Sequence, residues 1–365
     1  MKIWDAIVVG AGIIGLSLAI ELNKRGLRVL VVEKGEPGRE ASWAAGGMLV
    51  DRPAETLPGL RGLATASARM YPEFVHELED ESGLKIDLRS VGTLLFAGDG
   101  TGHSPVTTQA DALPQPLAEL EPALQILNNS EPHFTALYIK ERCVDPRDLT
   151  AAAFAAARHR GVDFSSGDHV LAVEVADGKA AGVLTNKTQF AAGMVVNCAG
   201  AWAGQIGPHS FPTRPVKGQM LYVAMPQKEM VRHVVRTVGL TPDVYLIPRS
   251  DGRMLIGATV EEAGFDKQTV PETILQLRRA ALDLVPKLAD ARILEAWAGL
   301  RPGTPDGLPI LGATPTPGYF LATGHFRDGI LLAPVTARVM SQLITGQAPD
   351  FDLSAFSPQR FVSSC

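Results

Sequence analysis

The sequence predicts an α/β fold combined with a second, α+β domain built on antiparallel sheet. The first observation is an opening of strand, helix and strand within about thirty residues, which is typical of a parallel sheet with crossover helices. The second is a run of consecutive strands in residues 214–260, which favours antiparallel pairing. The third is size: 365 residues, 46% of them hydrophobic, allow two domains or one large composite domain.

The opening unit is a strand, a helix and a second strand, followed by a loop of small residues. Residues 3–9 are a short β-branched run, which favours a buried strand. Residues 13–25 have helical periodicity that stops at Gly26, and residues 28–33 favour a second buried strand. The stretch 38–49 is rich in Gly, Ala and Ser, which predicts a loop that enters a helix.

The rest of the chain alternates between helical segments and strands. Asp145 followed by Pro146 is a typical helix start, with an N-cap acceptor and a proline in the first turn. Residues 98–116 are polar and rich in turn-forming residues, which predicts a surface excursion. The expected elements are helices at 61–81, 147–160, 272–288 and 330–345, and strands at 91–97, 162–165, 168–176, 194–198, 216–224, 231–239, 243–248, 253–259, 292–300 and 319–323.

The string GAGIIG at residues 10–15 follows the first strand and opens the first helix. Gly10 permits the tight turn, Gly12 lets the backbone approach a pyrophosphate, and Gly15 allows close packing of helix on strand. The helix N-terminus offers N–H groups to phosphates, and Glu33 can accept hydrogen bonds from a ribose. This pattern predicts a Rossmann-like, dinucleotide-binding domain, and it does not decide between NAD and FAD.

Charge and cysteine content argue against several classes of protein. The net charge of −5 does not favour nucleic acid as a partner. Cys143, Cys198 and Cys365 show no disulfide or zinc spacing, so we expect a cytoplasmic protein without a metal site. The apolar run at 3–22 contains Asp5 and lacks a cleavage site, and no stretch approaches the ~20 apolar residues of a membrane span.

Four further strings carry a resemblance to a known family: ASWAAGGM at 41–48, AGAW at 199–202, GLRPGTPDGLP at 299–309 and GHFRDGILLAP at 324–334. With the glycine-rich loop, they resemble the D-amino-acid oxidase superfamily of flavoproteins, and within it the glycine oxidases of the thiamine pathway. The resemblance covers residues 2–346, and the last two strings are its most specific parts.

The resemblance implies FAD as the cofactor and a fold of two domains. One is a Rossmann-like FAD-binding domain assembled from discontinuous pieces, and the other is an antiparallel sheet that roofs the flavin ring. The strand-rich segment 214–260 agrees with such a roof. The implied boundaries are 1–85, 145–212 and 303–365 for the FAD-binding domain, and 86–144 and 213–302 for the substrate-binding domain.

The resemblance also implies the residues that hold FAD. They are Gly10, Gly12, Ile13, Ile14 and Gly15 at the pyrophosphate, Glu33 and Lys34 at the adenosine ribose, Ala41 and Ser42 beyond them, Gly46, Gly47 and Met48 near the isoalloxazine, Val170 beside the adenine, and His325, Phe326, Arg327, Asp328, Gly329, Ile330 and Leu331 in a closing turn whose N–H groups face the flavin. Related sarcosine oxidases attach FAD through a cysteine beside the catalytic face. No cysteine of this chain lies near Arg301, so we expect FAD to be bound non-covalently.

Arg301 is the main candidate for substrate binding. It follows an apolar run, where a charge is unfavourable unless it has a partner, and its planar fork suits a carboxylate. Arg327 and the Tyr245 hydroxyl would complete the hold on the substrate. The alternatives are that Arg327 is an exposed loop residue, that Tyr245 is an ordinary sheet aromatic, and that His325 is a structural turn residue.

The implied reaction is oxidative deamination of glycine or another small amino acid, such as sarcosine or a small D-amino acid. The products are the 2-oxo acid and ammonia, with oxygen reduced to hydrogen peroxide, and the implied pathway is thiamine thiazole synthesis. No side chain is expected to be an obligatory base, because the redox chemistry belongs to the flavin. The main alternative is a D-amino-acid or sarcosine-type dehydrogenase that uses another electron acceptor. The remaining alternatives are action on an RNA-borne side arm and flavin binding without activity, and a homo-oligomer is compatible with the sequence.

Overall fold

The computed structural model describes residues 4–51, 56–98, 111, 113–125, 134–239 and 243–361. Its strands are β1 Trp4–Val9, β2 Val29–Glu33, β3 Met48–Leu49, β4 Leu88–Arg89, β5 Thr93–Gly98, β6 Phe134–Ile139, β7 Arg142–Val144, β8 Asp163–Ser166, β9 Val170–Ala176, β10 Lys179–Thr185, β11 Gln189–Asn197, β12 Arg214–Ala224, β13 Val234–Val238, β14 Tyr245–Pro248, β15 Arg253–Gly257, β16 Ile293–Gly303, β17 Ile310–Ala313 and β18 Tyr319–Thr323. Its α-helices are α1 Ile13–Lys24, α2 Ala41–Ala44, α3 Arg61–Ser82, α4 Leu117–Leu120, α5 Pro146–His159, α6 Pro271–Leu284 and α7 Ala333–Ile344. Short 3₁₀ helices occupy Pro58–Leu60, Gly200–Gln205, Pro286–Asp290, Ser354–Phe356 and Pro358–Phe361.

The first sheet contains the predicted βαβ opening, with strands in the order β17-β18-β11-β1-β2-β8. β1 runs parallel to β11 and β2, and β2 runs parallel to β8. Helices α1, α3, α5 and α7 bury one face of β1 and β2, and the hairpin of β9 and β10 covers the other. Because both faces are covered, the two strands are apolar almost throughout.

The second sheet has the strand order β16-β12-β15-β14-β13-β5-β6. Its neighbouring strands are antiparallel, except that β13 and β5 are parallel. This pair is parallel because β5 comes from a much earlier segment and is not joined to β13 by a hairpin. Helix α6 covers the outer face, where Leu277 and Leu284 pack in one cluster with Leu221 and Ile256.

The inner face of the second sheet packs on α2. Ala44 of α2 lies in one buried cluster with Met220, Tyr222 and Trp297, and Trp297 Nε1 donates to Ala44 O at 3.3 Å. A small sheet in the order β3-β7-β4 lies beside this contact. The two large sheets therefore face each other across α2 and the chain that follows it.

Arg249 is a buried cation at this junction. Its guanidinium donates to Gly46 O at 2.8 Å and to Val144 O at 3.0 Å. Its Nε lies 3.6 Å from Asp145 Oδ2, and Asp145 Oδ1 accepts from Arg147 N at 2.9 Å as the N-cap of α5. These bonds fix the chain around Gly46, which borders the cavity described below.

The predicted elements are present, with differences at short or weakly patterned segments. The strand expected to end before Arg301 continues as β16, and the helix expected from residue 330 begins at Ala333 as α7. Strands β3, β4, β6, β7, β10 and β17 have no counterpart in the sequence prediction. The excursion predicted at 98–116 falls mostly outside the described residues, and the exact domain boundaries stay a prediction. Within the described ranges, no helix combines the length and the apolar character needed to cross a bilayer.

Candidate active site

A cavity of about 660 Å³ lies between the two large sheets. Its walls come from the carboxyl ends of β1, β2 and β11, from α2 and the chain after it, and from the inner face of the second sheet. The turn at 325–330 closes one side. The crevice beyond the carboxyl ends of the strands is the usual ligand site of an α/β sheet, so this cavity is the candidate active site.

The cavity brings together most of the residues that the sequence singles out. The expected cofactor residues that line it are Gly10, Gly12, Ile13, Ile14, Glu33, Lys34, Ala41, Ser42, Gly46, Gly47, Met48, Val170, His325, Phe326, Arg327, Asp328, Gly329 and Ile330. The expected substrate residues Arg301, Arg327 and Tyr245 also line it. Gly15 lies behind the lining, where a side chain would collide with the carbonyl of Gly10.

Leu331 is an expected cofactor residue that does not line the cavity. It is 2% exposed, and its carbonyl accepts a hydrogen bond from Ser67 Oγ at 2.6 Å. Its side chain therefore lies in the protein interior, and a role for its main-chain N–H at the flavin stays a prediction.

The glycine-rich loop places bare backbone against the cavity. Gly10 has φ +102°, and a Cβ there would lie 2.6 Å from Cys198 O. Only glycine suits this turn, since other residues rarely adopt that conformation. At Gly12 the nearest atom to an added Cβ is Ser42 Oγ at 3.2 Å, and the same hydroxyl accepts from Ile13 N at 2.9 Å.

Glu33 supports this loop through its carboxylate. Oε2 accepts from Ala11 N at 2.8 Å, and Oε1 accepts from Gly35 N at 2.9 Å. A carboxylate oxygen has two lone pairs, so each oxygen can accept one further hydrogen bond from the cavity. Lys34 beside it stacks its ammonium on the Trp202 ring, with Nζ 2.9 Å from the ring centroid. Burial lowers the pKa of Lys34, and the neighbouring carboxylates oppose that effect.

Arg301 lies on β16, next to β12. Its Nη1 donates to Lys217 O at 3.3 Å and to Thr259 O at 3.1 Å. A side chain at Gly218 would collide with the guanidinium, so this glycine makes room for it. Burial is the largest effect on the pKa of Arg301 and lowers it, Arg327 acts in the same direction, and Tyr245 opposes both.

Arg301 and Arg327 bring positive charge to this end of the cavity, and the carboxylate of Glu261 is near enough to raise the pKa of Arg301 against the effect of burial. Within the described parts of the chain, no carboxylate forms an ion pair with Arg301 or Arg327. The Arg327 guanidinium is exposed, and it lies 5.2 Å from the centroid of the Phe326 ring. Two unpaired guanidinium groups around one cavity favour an anionic ligand.

Tyr245 lies on β14 and points its hydroxyl into the same region. The hydroxyl lies 3.5 Å from Met220 Sδ. Burial raises the pKa of Tyr245, while the charge of Arg301 and a hydrogen bond to it act in the opposite direction. The phenol is therefore protonated near neutral pH and can donate a hydrogen bond to a ligand held by Arg301.

The turn at 325–330 is held by its own hydrogen bonds. Phe326, with φ +48°, donates its N–H to Pro302 O at 2.9 Å, and Asp328 donates its N–H to His325 O at 2.9 Å. These two N–H groups are therefore not available to a flavin. The resemblance implied that the N–H groups of this turn face the flavin, and that expectation now applies only to the other residues of the turn. His325 Nε2 lies 3.1 Å from Thr336 Oγ1, and burial lowers the pKa of His325 to about 3. His325 is a neutral structural residue at physiological pH.

Several lining residues were missed by the sequence prediction. They are Asp168, His169, Met220, Arg236, Thr237 and Ala258. Arg236 is directly opposite Tyr245 in the pairing of β13 with β14. The only sign of Arg236 in the sequence was an arginine within a mainly apolar predicted strand. Whether that arginine faces the cavity depends on the register of the strand, which cannot be read from the sequence.

The cavity residues fit a dinucleotide. The loop at Gly10 leaves its backbone open to a pyrophosphate, and Glu33 retains acceptor capacity beside it. Asp168, which also lines this end, has a buried Oδ1 without a partner among the described residues. The open backbone at Gly10 and the carboxylate of Glu33 are therefore the features of this lining that suit a pyrophosphate and a ribose.

Comparison with known proteins agrees with this geometry. Residues 5–343 match the family model DAO, described as FAD dependent oxidoreductase. The glycine oxidase of Pseudomonas aeruginosa is 35% identical to this chain, and the alignment covers 96% of this chain and 98% of that protein. The crystal structure of glycine oxidase from Geobacillus kaustophilus superposes with a TM-score of 0.89, at 32% identity and with 99% of each chain covered.

The chain also resembles longer proteins. The bifunctional protein ThiO/ThiG of Trichormus variabilis is 35% identical over 98% of this chain, which spans 55% of that protein's length. The matches to the family model and to full-length glycine oxidases cover nearly the whole fold around the cavity. The chain thus belongs to the DAO family of FAD-dependent oxidoreductases, and FAD is its cofactor.

Proposed function

We propose that the protein oxidises glycine or another small amino acid to the 2-oxo acid and ammonia, with oxygen as the electron acceptor. The observation that carries this proposal is the pair of guanidinium groups, Arg301 and Arg327, that face the cavity without carboxylate partners in the described chain. A substrate with a carboxylate would satisfy both. The similarity to proteins named glycine oxidase supports a small amino acid as that substrate.

Arg301 is the residue that orients the substrate. A guanidinium has five N–H donors, and the two carbonyl contacts of Nη1 leave Nε and Nη2 for other partners. These donors can bind a carboxylate at two points, which fixes its direction as well as its position. Tyr245 donates its hydroxyl proton to the same carboxylate, and the charge of Arg327 in the cavity lining adds to the attraction for it.

The protein's contribution to the reaction is orientation and charge. Bound FAD supplies the two-electron acceptor for the hydrogen on the carbon beside the nitrogen. The amino acid loses two electrons and two protons to become the imine, and water converts the imine to the 2-oxo acid and ammonia. Oxygen takes up the two electrons and two protons to become hydrogen peroxide. His325 does not act as the base in this scheme, because its ring contacts Thr336 and its pKa is about 3.

A place in thiazole formation for thiamine follows from the same proposal. The similarity to proteins named ThiO/ThiG supports it, although this chain spans only 55% of the length of the one from Trichormus variabilis. The substrate would then be glycine.

The experiment is anaerobic reduction of the purified, FAD-loaded protein by glycine, sarcosine, D-alanine and D-proline, followed by exposure to air. We expect glycine or another member of this panel to bleach the flavin absorbance, and air to restore it with one peroxide per substrate oxidised. Ethylamine, which lacks the carboxylate, is the matched control and should leave the flavin oxidised. Bleaching by amino acids without peroxide on reoxidation would favour a dehydrogenase. No bleaching by any amino acid would contradict the proposal.

A further inference from the structure

The guanidinium of Arg301 is held by main-chain carbonyls at the wall of the cavity. Its Nη1 donates to Lys217 O at 3.3 Å and to Thr259 O at 3.1 Å. Ala258 and Val260 line the cavity, whereas Thr259 between them does not. The direction of the Arg301 side chain therefore depends on groups that lie behind the lining, where a substrate does not reach.

Two polar side chains hold Thr259 from behind. The Thr259 hydroxyl donates to Oε1 of Glu261 and accepts from Gln219 N at 2.9 Å. Gln219 is fully buried, and its side-chain amide donates to the same Oε1 of Glu261 at 2.8 Å. The amide oxygen of Gln219 accepts from Val270 N at 2.7 Å. Threonine, glutamine and glutamate thus form a closed set of hydrogen bonds beneath the carbonyl of Thr259.

The second carbonyl that holds Arg301 is tied to the same glutamate. Glu261 N donates to Lys217 O at 2.9 Å, and Lys217 N donates to Glu261 O at 2.9 Å, which makes an antiparallel bridge. Glu261 therefore fixes Lys217 O through its main chain and Thr259 through its side chain. Its carboxylate also raises the pKa of Arg301 against the effect of burial, which favours the charged guanidinium.

We propose that Glu261 is a positioning residue for the oxidation of the amino acid, because it sets the direction of the Arg301 guanidinium without touching the substrate. The inference rests on the proposed function, in which Arg301 binds the substrate carboxylate. A contact at two points requires the guanidinium and the carboxylate to share a plane. Two fixed carbonyls at Nη1 restrict the rotation of that plane. Loss of the Glu261 carboxylate frees the Thr259 segment, and Arg301 then keeps only one firmly held carbonyl.

The test measures carboxylate binding separately from turnover. Acetate, which has the carboxylate but no amine, is titrated into the purified, FAD-loaded protein, and the change in flavin absorbance gives its Kd. The same preparations give kcat and KM for glycine. For Glu261→Ala we expect the Kd of acetate and the KM of glycine to rise about tenfold, as for residues of one hydrogen-bond network. The ratio of flavin to protein absorbance should stay unchanged.

A double-mutant cycle separates positioning from a general structural role. When Glu261→Ala is added to Arg301→Ala, kcat/KM should change by no more than about twofold, because Glu261 acts through Arg301. Glu261→Gln should bind acetate within about threefold of the wild-type Kd. Its amide oxygen can still accept from Thr259 and Gln219, and only the charge is lost.

Two further variants complete the set. Thr259→Val removes the hydroxyl that joins the carbonyl segment to Glu261, so it should also raise the Kd of acetate, and it serves if Glu261→Ala does not fold. Glu262→Ala is the matched control. This neighbouring carboxylate is exposed and pairs with Arg214, so its loss should leave the Kd of acetate unchanged.

Three results would overturn the inference. The first is an unchanged Kd of acetate in Glu261→Ala and Thr259→Val. The second is an equal loss of kcat/KM on adding Glu261→Ala to wild type and to Arg301→Ala, which would indicate a structural role. The third is a Glu261→Gln variant as weak as Glu261→Ala, which would mean that charge and not hydrogen bonding matters.

The Arg301→Ala variant alone tells this inference apart from the proposed function. Wild-type affinity for acetate in Arg301→Ala would contradict the carboxylate site of the proposed function itself. Weak acetate binding in Arg301→Ala, together with wild-type binding in Glu261→Ala, would refute only the positioning role of Glu261.

Discussion

Replacement of Arg301 by Ala is the most direct test of the substrate site. The change removes a guanidinium that faces the cavity without a carboxylate ion pair in the described chain. It also removes a side-chain donor from Thr259 O and from Lys217 O, although Lys217 O still accepts from Glu261 N at 2.9 Å. The substrate carboxylate would then enter a partly enclosed site with only Arg327 and Tyr245 to bind it. Arg327 is exposed, so solvent screens its charge and it cannot replace Arg301.

Loss of one partner of a desolvated charge pair costs about 2–5 kcal/mol. Since about 1.4 kcal/mol corresponds to a factor of ten, kcat/KM for glycine should fall roughly 30-fold to several-thousand-fold. Arg301→Lys should recover only part of the loss, because an ammonium cannot make two parallel contacts or reach both carbonyls. FAD content should not change, because Arg301 lies away from the glycine-rich loop.

The assay is steady-state peroxide production with glycine and with D-alanine, together with the ratio of flavin to protein absorbance. Arg214→Ala is the matched control, since Arg214 is an exposed arginine on the adjacent strand whose charge pairs with Glu262. That variant should keep wild-type kcat/KM. Near-normal kcat/KM in Arg301→Ala, with flavin intact, would show that the carboxylate is bound elsewhere.

Three further predictions test the cofactor site and the turn beside it. Gly12→Val should abolish FAD retention on gel filtration, because its branched side chain would fill the space next to Ser42 Oγ and block the phosphates; a yellow variant would contradict this. Acid precipitation should release all FAD into the supernatant, because burial raises the pKa of the Cys143 and Cys198 thiols and keeps them unreactive, and flavin left in the pellet would indicate a covalent bond. The pKa of His325 is lowered from 6.5 to about 3 in the folded protein, so only the unfolded chain takes up this proton between those values. The free energy of unfolding should therefore fall by up to about 1.4 kcal/mol per pH unit as pH drops below 6.5, and His325→Gln should remove this part of the slope in denaturant titrations.

The parts of the fold that sequence could predict are those with a strong local pattern. Periodicity or capping residues can be recognised within a short stretch of sequence for three parts of the fold. These are the βαβ opening, the Asp145 cap and the strands from Arg214 to Gly257. Four of the six strands that escaped prediction are very short or lack such a pattern. β10 mixes Ala and Gly with polar residues, β17 has four residues, and β3 and β4 have two each.

The sequence could predict those residues of the site that belong to a recognisable motif. The glycine-rich loop, Glu33 and Arg301 are examples, and all of them reach the cavity. Asp168 and Arg236 were missed because their place in the cavity lining depends on which strands are neighbours. The same holds for the glycine at 218, which makes room for Arg301 only through the pairing of β12 with β16. The motif at 324–334 includes Leu331, but it does not tell which residues of the turn face the cavity, and the side chain of Leu331 faces the interior.

The cavity is closed by segments that lie far apart in the sequence and therefore leave the ribosome at different times. β1 pairs with β11, so that Trp4 lies opposite Ala192, and β11 in turn pairs with β18. The turn at 325–330 completes the wall only after that last strand. During synthesis β1 has only β2 as a neighbour until β11 and β18 have been made, so the cavity is complete only when most of the chain has left the ribosome. FAD that binds this completed cavity and not the unfolded chain stabilises the fold by mass action.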